Sequence, residues 1–118
     1  MTANPIVTAY LCANGASDAI EFYKRAFGAE ERYRMADANG RIGHAEITIG
    51  DTTLFLSDEW PEMRVLSPNT LNGHSVAFVI DLADPDAAFQ RALLAHQLAR
   101  FDLIYIVLED AARDFLRT

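Results

Sequence analysis

Apolar and polar positions alternate along the chain in an order that predicts a strand, a helix and three further strands before residue 58. Four segments have the β-branched and aromatic content typical of strands, and they are Ile6–Ala13, Glu30–Met35, Arg41–Ile49 and Thr52–Ser57. Between the first two, apolar residues recur at helical intervals, at Ile20, Tyr23 and Phe27. The pattern therefore predicts a unit of order βαβββ.

Local signals set the ends of the predicted helix and the turn that follows the second strand. Ser17 or Asp18 can cap the helix, and Glu21 lies three residues after Asp18, where its side chain can reach back to the cap. Gly28 ends the helix, because glycine adopts the left-handed conformation without strain. Asn39-Gly40 has the form of a two-residue hairpin turn in which both residues take positive φ.

The third predicted strand has two faces of different polarity, because successive side chains alternate along a strand. One face carries Ile42, His44, Glu46 and Thr48, and the other carries Ala45, Ile47 and Ile49. His44 and Glu46 would lie about 7 Å apart by strand rise, close enough to orient a metal or exchange a proton. The alternative is a structural polar pair that fixes the sheet.

After residue 58, the residue pattern predicts a loop, a strand and a second helix. Asp58–Gly73 is rich in proline and asparagine and is predicted to be an irregular linker or lid, whose Trp60 and Met63 either close over a ligand or pack against the domain edge. His74–Asp81 is predicted to be a strand. Asp84 caps a helix that Pro85 opens and that runs to about Ala99. Phe101–Leu108 follows, and Glu109–Arg117 is predicted to be a short helix.

Composition excludes several classes of protein. With 118 residues, 51% of them hydrophobic, the chain suits one globular domain. A net charge of −7 disfavours nucleic acid and anionic membranes as partners. No apolar run reaches the roughly 20 residues that span a bilayer, and the N-terminus lacks signal-peptide features, so a cytoplasmic protein is expected. The single cysteine, Cys12, cannot form an internal disulfide and is expected to be a small core residue.

Three segments resemble a known family, and they are Ala19–Ala29 (AIEFYKRAFGA), Gly40–Asp51 (GRIGHAEITIGD) and Leu56–Asp58. They are similar to the PhnB-like branch of the vicinal oxygen chelate superfamily, the glyoxalase, bleomycin-resistance and extradiol-dioxygenase group. The resemblance covers about Pro5 to Leu94. It implies an α+β fold in which two βαβββ modules form a curled mixed sheet around a cleft, usually in a homodimer.

Applied to this chain, the resemblance implies one domain in three parts. Residues 5–58 form the first module, 59–73 the linker, and 74–118 a divergent and incomplete second module. In family members, further strands come after the second helix. Two of these strands are missing from, or replaced in, the sequence after Leu94. Such a tail is expected of a truncated or frameshifted relative, or of a variant that completes its sheet with a partner chain.

The resemblance also implies positions for a divalent metal in the catalytic members. The family has four ligand positions, and three of them correspond to Thr8, Phe55 and His74 in this chain. The fourth belongs to a final strand that the sequence does not visibly contain. Catalytic divalent metals generally need about three protein ligands, and neither threonine nor phenylalanine replaces imidazole or carboxylate. His74 is the best-placed candidate ligand, with a hydrogen-bonded residue at the start of a strand as the alternative.

Two functional classes follow from these residues. The first is a protein that binds an aromatic or cationic small molecule without intact metal catalysis, in a cleft lined by Tyr10, Phe55 and Phe78, although aromatic residues on strands are often simply core residues. The second is a divalent-metal-dependent lyase, isomerase or dioxygenase acting on a small vicinal-oxygen substrate, with Glu46 as the catalytic base. The first class is preferred, since the second requires ligands that the sequence lacks.

Overall fold

The computed structural model describes residues 4–98 and 106–108. Its strands are β1 (Tyr10–Ala13), β2 (Glu30–Ala36), β3 (Ile42–Ile49), β4 (Thr52–Asp58), β5 (Phe78–Ile80) and β6 (Ile106–Leu108). Its helices are α1 (Ala16–Phe27), α2 (Pro68–Leu71) and α3 (Pro85–Leu98), with a 3-10 turn at Pro61–Met63. Within the described ranges, no helix combines the length and apolarity needed to cross a bilayer.

The first four strands form one curled, unclosed mixed sheet in the order β1-β4-β3-β2. The pair β1/β4 is parallel, whereas β4/β3 and β3/β2 are antiparallel. β5 and β6 pair in parallel as a separate two-stranded sheet. The predicted α+β class is confirmed, and the order of elements up to residue 58 is the predicted βαβββ.

The core lies between α1 and one face of this sheet. From the helix, Ile20 and Tyr23 are fully enclosed, and from the sheet Ala45, Ile47 and Leu56 are buried against them. Burial of these side chains removes apolar surface from water, which is the main favourable term in folding. α3 packs beside α1, where the Arg91 side chain donates from Nε to the Ala26 carbonyl oxygen at 3.3 Å.

The predicted start of α1 is wrong, because its cap comes from a distant strand. Gly15 occupies the N-cap position and no side chain from the helix caps it. Instead, the Asp58 carboxylate at the end of β4 accepts hydrogen bonds from the backbone N–H groups of Gly15 (3.2 Å) and Ala16 (2.8 Å). The end of α1 is as predicted, since Gly28 has φ 68° and donates its N–H to the Lys24 carbonyl.

The turn between β2 and β3 is longer than the predicted two-residue hairpin. Gly40 has the expected positive φ of 86°, but Asn39 does not. The Asp37 carboxylate accepts from the backbone N–H groups of Asn39 and Arg41, both at 2.9 Å, and so closes a wider turn. An aspartate before the turn therefore determines its geometry.

A bulge at Gly43 changes the predicted faces of β3. Met35 of β2 pairs with His44, whereas the next residue, Ala36, pairs with Ile42, so Gly43 is an extra residue in its strand. Ile42 is consequently fully buried, like Ala45 and Ile47, and does not share the face of His44 as predicted. The bulge thus leaves the half-exposed face to His44 and Glu46.

Other boundaries also differ from the prediction. β1 begins at Tyr10 rather than Ile6, and β5 begins at Phe78 rather than His74. The segment 59–73, predicted to be irregular, contains the 3-10 turn and α2. Asp84 caps α3 as predicted, accepting from the Ala87 N–H at 3.1 Å. The predicted helix Glu109–Arg117 lies outside the described residues.

Candidate functional site

Within the part of the chain that the structure describes, the face of the sheet opposite α1 is open, and one row of residues crosses all four strands. Tyr10 pairs with Phe55, Phe55 pairs with Glu46, and Glu46 pairs with Tyr33. Residues paired in register lie side by side on the same face of a sheet. The row therefore places three aromatic rings and one carboxylate on the open face.

His44 joins this row and connects Tyr10 to Glu46. The Tyr10 hydroxyl lies 2.6 Å from His44 Nδ1, and His44 Nε2 lies 3.6 Å from Glu46 Oε2. The imidazole also packs on Phe55, with ring centroids 4.9 Å apart, and on Tyr10, at 5.4 Å. We call Tyr10, His44, Glu46 and Phe55 the open-face cluster; the Tyr33 ring flanks it, 6.1 Å from that of His44.

The hydroxyl of Tyr10 keeps its proton at neutral pH. Burial raises the pKa of Tyr10 above its usual value of 10.0, and the charge of Glu46 raises it further. A protonated phenol donates a hydrogen bond, and the unprotonated nitrogen of a neutral imidazole accepts one. The arrangement therefore permits a hydrogen-bonded chain from Tyr10 through His44 to Glu46.

A cavity of about 580 Å³ lies next to the cluster. Its lining includes Tyr10, Cys12, Met35, Gly43, Ser57, Trp60, Met63 and Val65. The lining is mostly apolar, as in sites that bind small organic molecules. Tyr10 belongs both to the cluster and to the lining, so it brings the hydrogen-bonded chain to the cavity wall.

One wall of the cavity comes from the segment after β4, and Arg41 fixes it there. The Arg41 guanidinium carbon lies 3.4 Å from the centroid of the Trp60 ring. The same side chain donates to the Glu59 carbonyl at 2.8 Å and to the Glu62 carboxylate at 3.1 Å. Trp60 in turn donates from Nε1 to the Ile42 carbonyl at 3.4 Å. Trp60 is therefore held in the cavity wall by the Arg41 guanidinium on one face of its ring and by a hydrogen bond at its edge.

A second contact folds the rest of this segment back on itself. The Glu59 carboxylate accepts a hydrogen bond from the Ser67 backbone N–H at 2.8 Å. This bond is the main cause of the lowered pKa of Glu59, with a hydrogen bond from Thr70 adding to it. The position of Met63 and Val65 in the lining thus depends on contacts within residues 59–70.

The structure brings together four of the residues predicted for the site. Tyr10, His44, Glu46 and Phe55 are adjacent, whereas Thr8 is half-buried and precedes β1. Phe78 lines a different cavity, of about 590 Å³, which also contains Leu11, Tyr23 and Leu54 and so lies on the helix side of the sheet. His74 is exposed, in the stretch before β5.

Some lining residues were not predicted. Met35, Ser57 and Val65 carried no sequence signal for a site, and Cys12 was expected to be core. Arg41 was also missed. The one useful signal was the single tryptophan within a proline-rich segment, since Trp60 and Met63 were predicted either to cover a ligand or to pack at the edge.

The described residues do not fit a divalent-metal centre. In the ranges 4–98 and 106–108, no three His, Cys, Asp or Glu side chains come together in a way that could hold a metal ion. At the family's ligand positions, Phe55 has no ligand atom and Thr8 has only a neutral hydroxyl.

Comparison with known proteins assigns the fold of the chain and the family of residues 9–59. Residues 9–59 match the family described as glyoxalase At5g48480-like, N-terminal domain. The uncharacterized protein Mb0911c of Mycobacterium bovis is 35% identical over 98 residues, which are 80% of this chain and 64% of that protein. The chain thus spans less than two thirds of the length of this relative.

Two solved structures share the fold. The Arabidopsis thaliana gene product AT5G48480 superposes with a TM-score of 0.65 at 20% identity, covering 96% of this chain and 85% of that chain. A bleomycin-binding protein complexed with bleomycin superposes with a TM-score of 0.50 at 20% identity, covering 78% of this chain and 66% of that chain. The resemblance seen in the sequence is confirmed: residues 9–59 match the At5g48480-like glyoxalase family, and the chain shares its fold with a bleomycin-binding protein.

Proposed function

We propose that this chain binds a small molecule with an aromatic or other apolar body, without metal catalysis, in the cavity on the open face of the sheet. The observation that carries the proposal is the cavity itself, which has about 580 Å³ of space, a mostly apolar lining and one hydrogen-bonded polar chain at its wall. A bleomycin-binding protein with the same fold supports binding as a function for this architecture.

Trp60 provides a direct test, because it is the single tryptophan of the chain and it lines the cavity. Titration with a panel of mono- and bicyclic aromatic molecules, neutral and cationic, should change its fluorescence in a saturable way. Gly43→Leu is expected to abolish the change, since a Cβ at Gly43 points to within 3.5 Å of the Trp60 ring and a larger side chain fills the space.

Thr52→Leu is the matched control, because Thr52 lines the cavity on the helix side of the sheet. It adds the same leucine side chain and should leave the fluorescence titration unchanged. A panel that produces no saturable response, or equal losses in both variants, would contradict binding in the cavity of the open face.

The competing function is a divalent-metal-dependent lyase, isomerase or dioxygenase. His44 and Glu46 favour it, since their Nε2 and Oε2 atoms lie 3.6 Å apart. Calorimetric titration of the metal-stripped protein with Ni²⁺, Co²⁺, Zn²⁺ and Mn²⁺ is expected to show no specific binding. Micromolar binding that is lost in His44→Ala or His74→Ala would overturn the proposal and restore the enzyme function.

A homodimer is the assembly proposed with this function. β1 is the edge of the four-stranded sheet as described, and the residues before it expose apolar side chains, with Ile6 75% and Val7 96% accessible. Edge strands with exposed apolar residues favour pairing with another chain. Sedimentation should show a dimer that Val7→Lys weakens, and a monomer at all concentrations would contradict it.

The cytoplasm is the proposed location, because the single cysteine needs no oxidising compartment.

A further inference from the structure

The polar groups at the cavity wall differ in whether they can still donate a hydrogen bond. Ser57 donates its hydroxyl hydrogen to the Asp58 carbonyl at 2.9 Å. Trp60 donates its indole N–H to the Ile42 carbonyl at 3.4 Å. Cys12 contributes a thiol, which is a weak donor. Tyr10 is thus the side chain whose hydrogen-bonding role determines what the wall offers.

The contacts of His44 fix that role when the imidazole is neutral. The Glu46 carboxylate near Nε2 can only accept, which favours the tautomer with its hydrogen on Nε2. Nδ1 is then an acceptor, and the Tyr10 hydroxyl, 2.6 Å away, donates its single hydrogen to it. The Tyr10 oxygen keeps its lone pairs as acceptors for a molecule in the cavity.

We propose that the Tyr10 oxygen selects ligands that join an apolar ring to a hydrogen-bond donor, and above all to a primary ammonium group. This inference rests on the proposed function, since it names the ligand class for the same cavity. The charge of Glu46 acts at the Tyr10 hydroxyl, as its contribution to the raised pKa of Tyr10 shows, and it favours a cation there. The net charge of −7 favours approach of the same ligands.

Two probes of similar shape separate a donor from an acceptor: 2-naphthylmethylammonium and methyl 2-naphthyl ketone. At pH about 8, calorimetry should show the ammonium binding roughly 10- to 100-fold more tightly, as expected for a hydrogen bond to a charged group. Tyr10→Phe should remove this preference, and Tyr33→Phe should keep it, since it removes the same phenolic oxygen outside the cavity. Circular dichroism checks that each variant folds, which is expected because Tyr10 is 54% exposed.

Equal or tighter binding of the ketone at pH about 8, a preference that survives in Tyr10→Phe, or failure of both probes while other aromatic molecules bind would each overturn the inference and leave the proposed function standing. Absence of any saturable binding in the fluorescence panel would instead defeat the proposed function, and the inference with it.

Discussion

The two faces of the four-stranded sheet are built from the same strands but have opposite chemistry. Neighbouring residues of β4 illustrate the difference, since Leu56 is fully enclosed under α1 and Phe55 is half-exposed on the open face beside His44. On the helix side, apolar side chains interlock with Ile20 and Tyr23. On the open side, the side chains contact each other through one hydrogen-bonded chain and aromatic edges.

This difference separates the residues that stabilise the fold from those that line the proposed site, along the same strands. Alternation places every second side chain in the core, and those residues stabilise the fold. The residues between them are supported by the same strands but contribute less to the core, so they are available for a ligand. Substitutions at adjacent positions should therefore have effects of different kind and size.

The largest difference is expected between two adjacent truncations on β4. Leu56→Ala removes a fully buried side chain from the helix side and should lower the free energy of unfolding by about 2–5 kcal/mol. Phe55→Ala removes a half-exposed ring and should cost about 1 kcal/mol while weakening binding of aromatic probes. Urea denaturation followed by circular dichroism measures both. Equal losses of stability would mean that the open face is a second core and not a site.

The next largest effect is expected at Asp58, which joins the start of α1 to the start of β3. Its carboxylate accepts from the N–H groups of Gly15 and Ala16 at the start of α1, and from the Ile42 N–H at 2.7 Å, next to the bulge that orients His44. Asp58→Ala should cost about 2 kcal/mol, because backbone donors lose a charged acceptor. Urea denaturation checks this, with Asp51→Ala, at an exposed turn, as the control for loss of a charge. A stable Asp58→Ala would show that water replaces the carboxylate.

A smaller difference is expected between two glycines. Gly28 has φ 68° at the end of α1, so Gly28→Ala should cost about 1 kcal/mol through backbone strain. Gly43 on the open face is not in the left-handed region, and a Cβ there would lie 3.5 Å from Trp60 and 3.6 Å from Met35, which is ordinary contact. Gly43→Ala should therefore change stability by less than about 0.5 kcal/mol. Thermal unfolding of both variants measures these changes in stability. A large loss of stability in Gly43→Ala would show that the bulge requires glycine.

The sequence predicted local features well and long-range contacts poorly. Helical spacing located α1 and Gly28 located its end, because both depend on residues within one turn. Pairing His44 with Glu46 required only strand alternation, but the same rule misplaced Ile42, since the bulge at Gly43 shifts the alternation by one residue. A glycine inside a strand was the only local sign of that bulge.

Contacts between distant segments left no comparable sign. The cap of α1 comes from Asp58, 42 residues after Ala16, and a helix-local pattern pointed to Ser17 or Asp18 instead. The contact of Arg41 with Trp60 likewise depends on how the segment after β4 folds back. The separation of Phe78 from the cluster follows from its place in the second sheet, which alternation within one strand cannot reveal.

The smallest effect is expected from the ion pairs at the edge of the helix side, which contrast with the polar chain of the open face. Glu31 accepts from Arg34 at 2.8 Å and lies 3.5 Å from Lys24 of α1. Burial of the carboxyl raises its pKa, but the hydrogen bond and charge of Arg34, with Lys24, outweigh this, so the pKa of Glu31 lies below its usual 4.5.

A carboxyl with a lowered pKa in the folded state stabilises the fold at neutral pH and loses that contribution as the pH falls through its titration. Glu31→Gln should therefore cost less than about 1 kcal/mol at pH about 7. The difference from wild type should shrink as the pH falls below about 4.5, since the wild-type carboxyl is then also neutral. Urea denaturation at pH values from about 7 to below about 4.5 measures this difference in the free energy of unfolding. Glu30→Gln, at a more exposed carboxylate, is the control for one lost charge. A cost that is constant with pH would assign Glu31 a packing role.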